Sequence, residues 1–566
     1  MRKFFSLLIF LAYSPILFAQ TIPNYNIVWG DPQASAGYYF LHAFKISGTQ
    51  ASGFHTMILD RYGRLVYLKK FNSVSNDFKL HPNGLMSYAF TPPGNPDAAK
   101  FHIMDSTFYL KDSVGCAGGV FTDGHDIIIL PDGHYLMMGF EYRIMNLSSY
   151  NWFNGNGTPG SSKASVKCGI IQELDENKNL VFMWKSADYF QFADVDERVL
   201  FNPNNVDWTH FNSLELDNDG NILISVRHFN EVTKISRQTG AIRWRLGGKR
   251  NQFTFINDPH NGFLGQHDAR RIANGNITIF DNGIIRNISV NPARAIEYSV
   301  NEQNLTATIV WSHIYSSNSS SRFLGNAQRL PNGNTVIGWG GLLNANVTFN
   351  CVKPGGGLVM EMKFPDTLYT YRAFNYSALP WRLNRPVITC FNSNGNYFLD
   401  AGAGHGSYLW STGASTQVIQ ITVPDTYYVF VQYGQGGYIS SERAIITSVN
   451  NPCSQIGINN ISGEIPSSFK LHQNYPNPFN PITKIKFDIA FVGTVHRTVR
   501  IIIYDILGRK ITTLVNKKFI PGKYSVSWDG SNYPSGVYYY QLTVSSDASA
   551  PLSVIYADTK KMVLLK

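Results

Sequence analysis

No stretch of this 566-residue chain shows sustained helical periodicity, and none of its five cysteines forms a Cys-x-x-Cys pair. The first absence sets aside helical bundles and alternating α/β folds. The second argues against a zinc ribbon or a thioredoxin-type centre. Basic runs interleaved with aromatics are missing too. The net charge of +10 is scattered along the chain, so we expect no nucleic-acid partner; a local basic cluster suits a small anionic substrate better. The glycine stretches at 247–248 and 355–357 match neither a phosphate loop nor a dinucleotide fingerprint, which is consistent with a donor other than a nucleotide. Beyond the N-terminus, no apolar run reaches transmembrane length.

What is abundant points the other way. Aromatics make up 14% of the chain, with 31 Tyr beside 48 Gly, a composition that suits short strands joined by tight turns. The predicted class is all-β, and the length implies about three or four domains. Met1-Arg2-Lys3 followed by an apolar run ending at Ala19 reads as a secretory signal peptide over 1–19. In an oxidising compartment one or two disulfides are expected, with one thiol left over. Cys390 and Cys453 bracket one predicted domain and are the first candidate pair.

From residue 25 to 380 two hairpin types alternate. Five inner hairpins carry a P-N/D-G-like turn, as in DIIILPDGHYLMMG (126–139). Six outer hairpins run apolar, turn, aromatic, the last being LVMEMKFPDTLYTYRAF (358–374). Radial repetition of four-stranded units predicts a six-bladed β-propeller, in which the segment 27–44 supplies the missing inner pair and closes the ring. An immunoglobulin-like β-sandwich is expected at 385–448, a linker at 449–466, and a further β-sandwich at 467–566.

The repeat has a register. His125, Asn212 and His267 each lie eight residues before a turn glycine (Gly133, Gly220, Gly275). Equivalent strand ends meet around the axis, so polar residues there converge. Arg227 returns to the same rim after its turn, and His210 shares a strand face with Asn212. Asn326 occupies the corresponding place in the next blade. His228 is expected to alternate to the opposite face.

Two resemblances follow from longer motifs. The tail, with Asn474-Tyr475-Pro476-Asn477-Pro478-Phe479-Asn480-Pro481, IYDILGR (503–509), Trp528-Asp529-Gly530 and Ser535-Gly536-Val537-Tyr538-Tyr539, resembles the type A sorting domain of the bacterial type IX secretion system. That implies the type IX machinery as a partner, and release or anchoring at the outer-membrane surface. The propeller resembles the arylsulfotransferase family through Gly124-His125-Asp126, Asp207-Trp208-Thr209-His210-Phe211-Asn212, Ser225-Val226-Arg227-His228, WRLGGKRNQFTF (244–255) and Gly265-Gln266-His267-Asp268-Ala269-Arg270-Arg271. It implies transfer of a sulfuryl group from a phenolic sulfate ester to a phenol, with no cofactor and no metal. In the implied roles His267 is the nucleophile and becomes a transient sulfohistidine, its tautomer held by Asp268 or a backbone carbonyl. His125, His210 and Arg227 stabilise charge, while Asn212 and Asn326 bind substrate. Two other readings stay open: a metal-dependent enzyme using the histidines with Asp126 or Asp268, and a non-catalytic binding or adhesion propeller.

Overall fold

The computed structural model describes residues 22–566 apart from 48–49, 154–156, 200, 286–287, 344–345, 365–367, 451, 456–458, 463–465, 491–496, 520 and 546–553. The signal peptide expected at 1–19 lies outside the described residues. Among them no helix is long and apolar enough to cross a membrane.

Six antiparallel sheets form the six blades expected. The innermost strands follow one another around the ring. Ser75–Leu80 touches Phe121–Ile129, which touches Phe211–Leu216, then His267–Arg271, Asn326–Arg329 and Ala373–Tyr376. Neighbouring blades bury both faces of a central strand, and Ile222–Val226 is accordingly apolar except for Ser225 and buried throughout. Aromatic and branched side chains fill the wedges between blades, for example Trp184, Trp208, Phe211 and Ile224.

Ring closure departs from the expectation. Residues 358–374 do not form one outer hairpin: Leu358–Lys363 pairs with Phe349–Val352 in the sixth blade. The chain then crosses to the first blade, where Ala373–Tyr376 pairs with Tyr38–Leu41 as the innermost strand. Segment 27–44 is also split. Asn26–Trp29 becomes the outer edge of the sixth blade, and Tyr38–Ser47 belongs to the first. Each chain end thus hydrogen-bonds to a blade built mainly by the other end, a long-range choice that apolar-turn-aromatic wording does not encode.

The first blade continues outward into the next unit. Gly437–Ser440 pairs with Leu65–Lys70, so the edge strand of the blade is covered by the sheet Gly437–Ser440, Val429–Tyr433 and Tyr408–Trp410. Cys390 and Cys453 form a disulfide, and Cys116, Cys168 and Cys351 are free. Three thiols remain rather than one, because Cys168 and Cys351 are buried in separate wedges. The C-terminal unit is a sandwich of two four-stranded sheets around Phe479, Trp528, Tyr540 and Leu564. Its strand Asn459–Ser462 pairs with Gly522–Asp529 and so lies inside the segment expected to be linker.

Buried histidines make the fold sensitive to acid. Burial pushes His42, His81 and His228 each down to about 3. They stay neutral in the fold but take up protons near 6.5 once unfolded, so their contribution is present above about 6.5 and is lost as pH falls toward 3. We expect the urea midpoint to drop between pH 7 and pH 5, before ordinary carboxylates titrate. A flat midpoint across that interval would contradict the burial argument.

Candidate active site

The site is built where the inner strands begin, and there they are irregular. Register shifts interrupt the pairing between His267 and Arg270, between Asn76 and Lys79, and between Phe211 and Ser213. Asp77, His210 and Asp268 adopt positive φ of 55°, 49° and 55°. Such bulges break the period-two rule, so consecutive residues can both serve the axis.

Two carboxylate–histidine pairs stand side by side. His125 Nδ1 is hydrogen-bonded to Asp123 Oδ1, and His210 Nδ1 lies 2.5 Å from Asp207 Oδ2. The rings of His125 and His210 are 5.3 Å apart. Lys167 Nζ approaches the other oxygen of Asp123 at 3.3 Å. Burial opposes ionisation of both aspartates, yet the neighbouring histidines and Lys167 outweigh it and hold each carboxyl well below the usual range.

His267 is fully enclosed. Asn282 Nδ2 donates to the Leu324 carbonyl at 3.0 Å, which turns Asn282 Oδ1 toward His267 Nδ1 at 2.8 Å. The Leu324 N–H points at His267 Nε2 from 3.2 Å. This network puts the ring proton on Nδ1 and leaves the lone pair on Nε2. Burial, then the charge of Arg227, drives the His267 pKa well below the ordinary value. The tautomer holder is therefore Asn282, not Asp268 or a backbone carbonyl. Leu324 has φ of 64° and is followed by Gly325 at φ 104°, where a Cβ would meet the Phe280 ring at 2.3 Å. Only glycine fits there, and the loop it shapes delivers the Leu324 N–H.

Arg227 opens a short 3-10 turn, Arg227–Phe229, instead of continuing its strand. Its Nη2 donates to the Arg322 carbonyl at 3.1 Å, and Nη1 lies 3.1 Å from His228 Nε2. Its Nε is buried without a partner, and among the described residues the guanidinium has no ion-paired carboxylate. The turn also brings His228 into the cluster, 4.8 Å from the His210 ring, rather than to the opposite face.

Asn212 and Asn326 sit lower, as links between blades. Asn212 Nδ2 donates to the Gln266 carbonyl at 2.7 Å. Asn326 is satisfied on both sides by the Ala373 backbone, at 2.7 and 2.9 Å. Asn76 makes the equivalent bond to the Gly124 carbonyl at 2.8 Å. Asn326 is fully buried, its side-chain amide engaged on both sides by the Ala373 backbone.

Beneath the histidines lies a buried charge network. Asp77, Asp126 and Asp268 are balanced by Lys79, Arg270 and Arg372. Arg372 reaches Asp77 at 2.7 Å and the Asn212 carbonyl at 2.6 Å. Its neighbour Tyr371 donates to the His125 carbonyl at 3.1 Å. Sequence reasoning missed Asn282, Arg372, Tyr371 and the partners Asp123 and Asp207. The spacings Asp-x-His at 123–125 and Asp-x-x-His at 207–210 carried a readable signal, whereas Asn282 looked like one more turn residue in DNG.

Asp207, His210 and His228 bring ligand-type atoms within 4.8 Å of one another, the spacing of a loose metal site. Both Nδ1 atoms are already hydrogen-bonded and His228 Nε2 faces the guanidinium of Arg227, while Asp207 Oδ1 is buried without a partner. A fixed cation on the open face favours an anion over a metal ion.

Residues 37–372, well over half the chain, match the family model described as Arylsulfotransferase (ASST). The chain belongs to the arylsulfotransferase family. All six residues singled out from the sequence fall inside the matched region of this family member. Residues 473–554 match the secretion system C-terminal sorting domain, which marks the protein for type IX secretion to the cell surface or outer membrane. No curated protein is a significant match. Among solved structures, a protein of unknown function from Bacteroides caccae is similar at TM-score 0.36 and 11% identity, covering 59% of this chain and 98% of its own. A catalytically inactive virginiamycin B lyase from Staphylococcus aureus with quinupristin gives TM-score 0.31 at 10% identity, covering 66% and 96%.

Proposed function

We propose that this secreted family member moves a sulfuryl group from a phenolic sulfate ester to a phenolic acceptor through a covalent intermediate on His267. The observation that carries this reading is a neutral imidazole, its lone pair on Nε2, beside a half-buried guanidinium with no ion-paired carboxylate among the described residues. A neutral nitrogen can attack, and an unneutralised cation awaits an anion.

In the first half-reaction His267 Nε2 attacks sulfur, the N–S bond forms, and the donor S–O bond breaks with its electron pair leaving on the phenolate. Arg227 holds the sulfate oxygens through its fork. The entering sulfate offsets the burial that lowers the His210 pKa, so that His210 supplies the proton taken by the phenolate, while His125 hydrogen-bonds to the sulfate oxygens. In the second half-reaction a phenol gives its proton back to that imidazole, its oxygen attacks sulfur, and the S–N bond breaks. Asn282 acts on His267 by holding Nδ1–H throughout. Asn212 and Asn326 position the blades that carry these groups. The unit boundaries consistent with this division are a propeller at 25–380, the covering sandwich at 385–448 and the sorting unit from 467.

The test is incubation of the purified protein with an aryl sulfate and a phenol, without nucleotide and with a chelator. Phenol-dependent release of the donor phenol is expected, together with an adduct of about 80 Da, the mass of SO₃ left by covalent catalysis, on the His267 peptide. Loss of activity on chelation would favour the metal-dependent reading. Absence of both signals over a broad donor panel would favour a binding propeller.

Asn282 gives a second handle. Asn282→Asp places a carboxylate on His267 Nδ1 and raises the pKa of the imidazole, so the acid limb of the pH–rate profile should move to higher pH. Asn282→Ala should lower kcat by about 10- to 100-fold with little change in KM, as loss of an orienting hydrogen bond does. An unmoved acid limb in Asn282→Asp would remove Asn282 from this role.

A further inference from the structure

The third blade rises above the ring on the side of the histidines. Tyr135–Met145 and Ala164–Leu174 pair over eleven residues, and Asn205–Asp207 adds a parallel edge strand at the top. The register places Tyr142 opposite Lys167, and Lys167 opposite Asp207, so these three side chains share one face of the extension. One rung lower, Phe140 pairs with Phe121. Along Phe121–Ile129 the pairing shifts register after Thr122, and Asp123 and His125 are tied to that face by contacts rather than by alternation: Asp123 meets both Lys167 and His125.

The contacts agree with the register. Phe121 stacks on Phe140 at 5.4 Å, and Tyr142 meets their rings at 6.0 and 5.6 Å. Lys167 Nζ lies 4.1 Å from the centroid of Phe140 while also reaching Asp123, the partner of His125. An aromatic surface is therefore joined by a single lysine to Asp123, the carboxylate partner of His125. Phe140 is buried, but Tyr142 is 53% exposed, an open aromatic ring at the edge of the polar cluster.

We propose that this face is the docking wall for the aryl ring of the phenolic substrate, with Tyr142 as its exposed anchor. The inference rests on the sulfuryl-transfer reading. The occupant follows from continuity: a sulfate ester held by Arg227 and His267 must place its ring beside the cluster, and the aromatic face bordering His125 through Lys167 is this one. A flat ring stacks on Tyr142, and donor and acceptor use the wall in turn because both half-reactions pass through one site.

The experiment compares wild type, Tyr142→Ala, Tyr142→Phe and, as an exposed control on the outer strand of the same blade, Val181→Ala. Turnover is measured with a naphthyl sulfate, and 2-naphthol binding by calorimetry without donor. Tyr142→Ala should raise KM and weaken naphthol binding by about five-fold each, the size of an aromatic pair, with a smaller change in kcat. Tyr142→Phe should restore most of the affinity and Val181→Ala should match wild type. Unchanged KM and binding in Tyr142→Ala, while wild type turns over, would overturn the wall, as would failure of naphthol to bind wild type. Tyr142-dependent naphthol binding in a wild-type protein that transfers nothing would keep the wall and overturn the transfer reading instead.

Discussion

His267→Ala is expected to lower kcat for sulfuryl transfer by about 10⁴-fold or more and to abolish the protein-bound adduct, because loss of a covalent nucleophile removes the reaction path itself. In the proposed mechanism every other group in the cluster acts on charge or orientation. The bond that His267 Nδ1–H donates to Asn282 and the one that Nε2 accepts from Leu324 define which nitrogen carries the lone pair. In that mechanism the Leu324 N–H gives up Nε2 before attack. The variant leaves Asn282 Oδ1 and the Leu324 N–H without partners, at a cost of about 1–3 kcal/mol each. Folding must therefore be checked by near-UV circular dichroism, and His267→Gln, which keeps polar atoms in place, is the companion variant. Activity within ten-fold of wild type in a folded His267→Gln protein would sink the covalent mechanism.

Arg372→Met should destabilise the propeller by about 3–5 kcal/mol, read from urea unfolding, because removing one partner of a buried ionic network leaves charge uncompensated. Arg372 is the cation that the closing strand inserts between Asp77, Asp126 and Asp268. Without it three buried carboxylates face only Lys79 and Arg270. The same guanidinium donates to the Asn212 carbonyl, and Tyr371 beside it donates to the His125 carbonyl. Activity should therefore fall together with stability, since closure of the ring and the level of the site are set by one short segment. Arg372→Lys should lie between, keeping the charge but losing the fork. A change under about 1 kcal/mol in Arg372→Met would mean the network is hydrated rather than structural.

Much of this was readable from local pattern. Turn glycines such as Gly133, Gly220 and Gly275 marked the hairpins, and their common spacing aligned His125 with His267 at the same distance from the turn. His125 nevertheless lies within Phe121–Ile129, whereas His267 opens His267–Arg271. Arg227 and His210 lie just outside the strands Ile222–Val226 and Phe211–Leu216, so strand alternation does not set which way they face. His228 departs from the expected alternation, because the chain turns into a 3-10 segment at Arg227 and strand alternation ends there. For Asn326 the register located the residue but not what its amide would meet, which is the Ala373 backbone. Asn282 was invisible as a site residue because its partner is 15 positions away across a bulged pair.

By itself, then, the sequence determined the all-β class, the six repeated units, the type IX sorting tail and the rim on which the polar residues gather. These depend on periodicity, turn chemistry and motifs, which act over a few residues and survive without knowledge of distant partners. Tertiary structure alone decided how the ring closes, which way the bulged residues face, and which group holds His267. Those outcomes depend on hydrogen bonds and charge pairs between segments up to hundreds of residues apart, such as Arg372 with Asp77, where burial makes an unmatched partner costly.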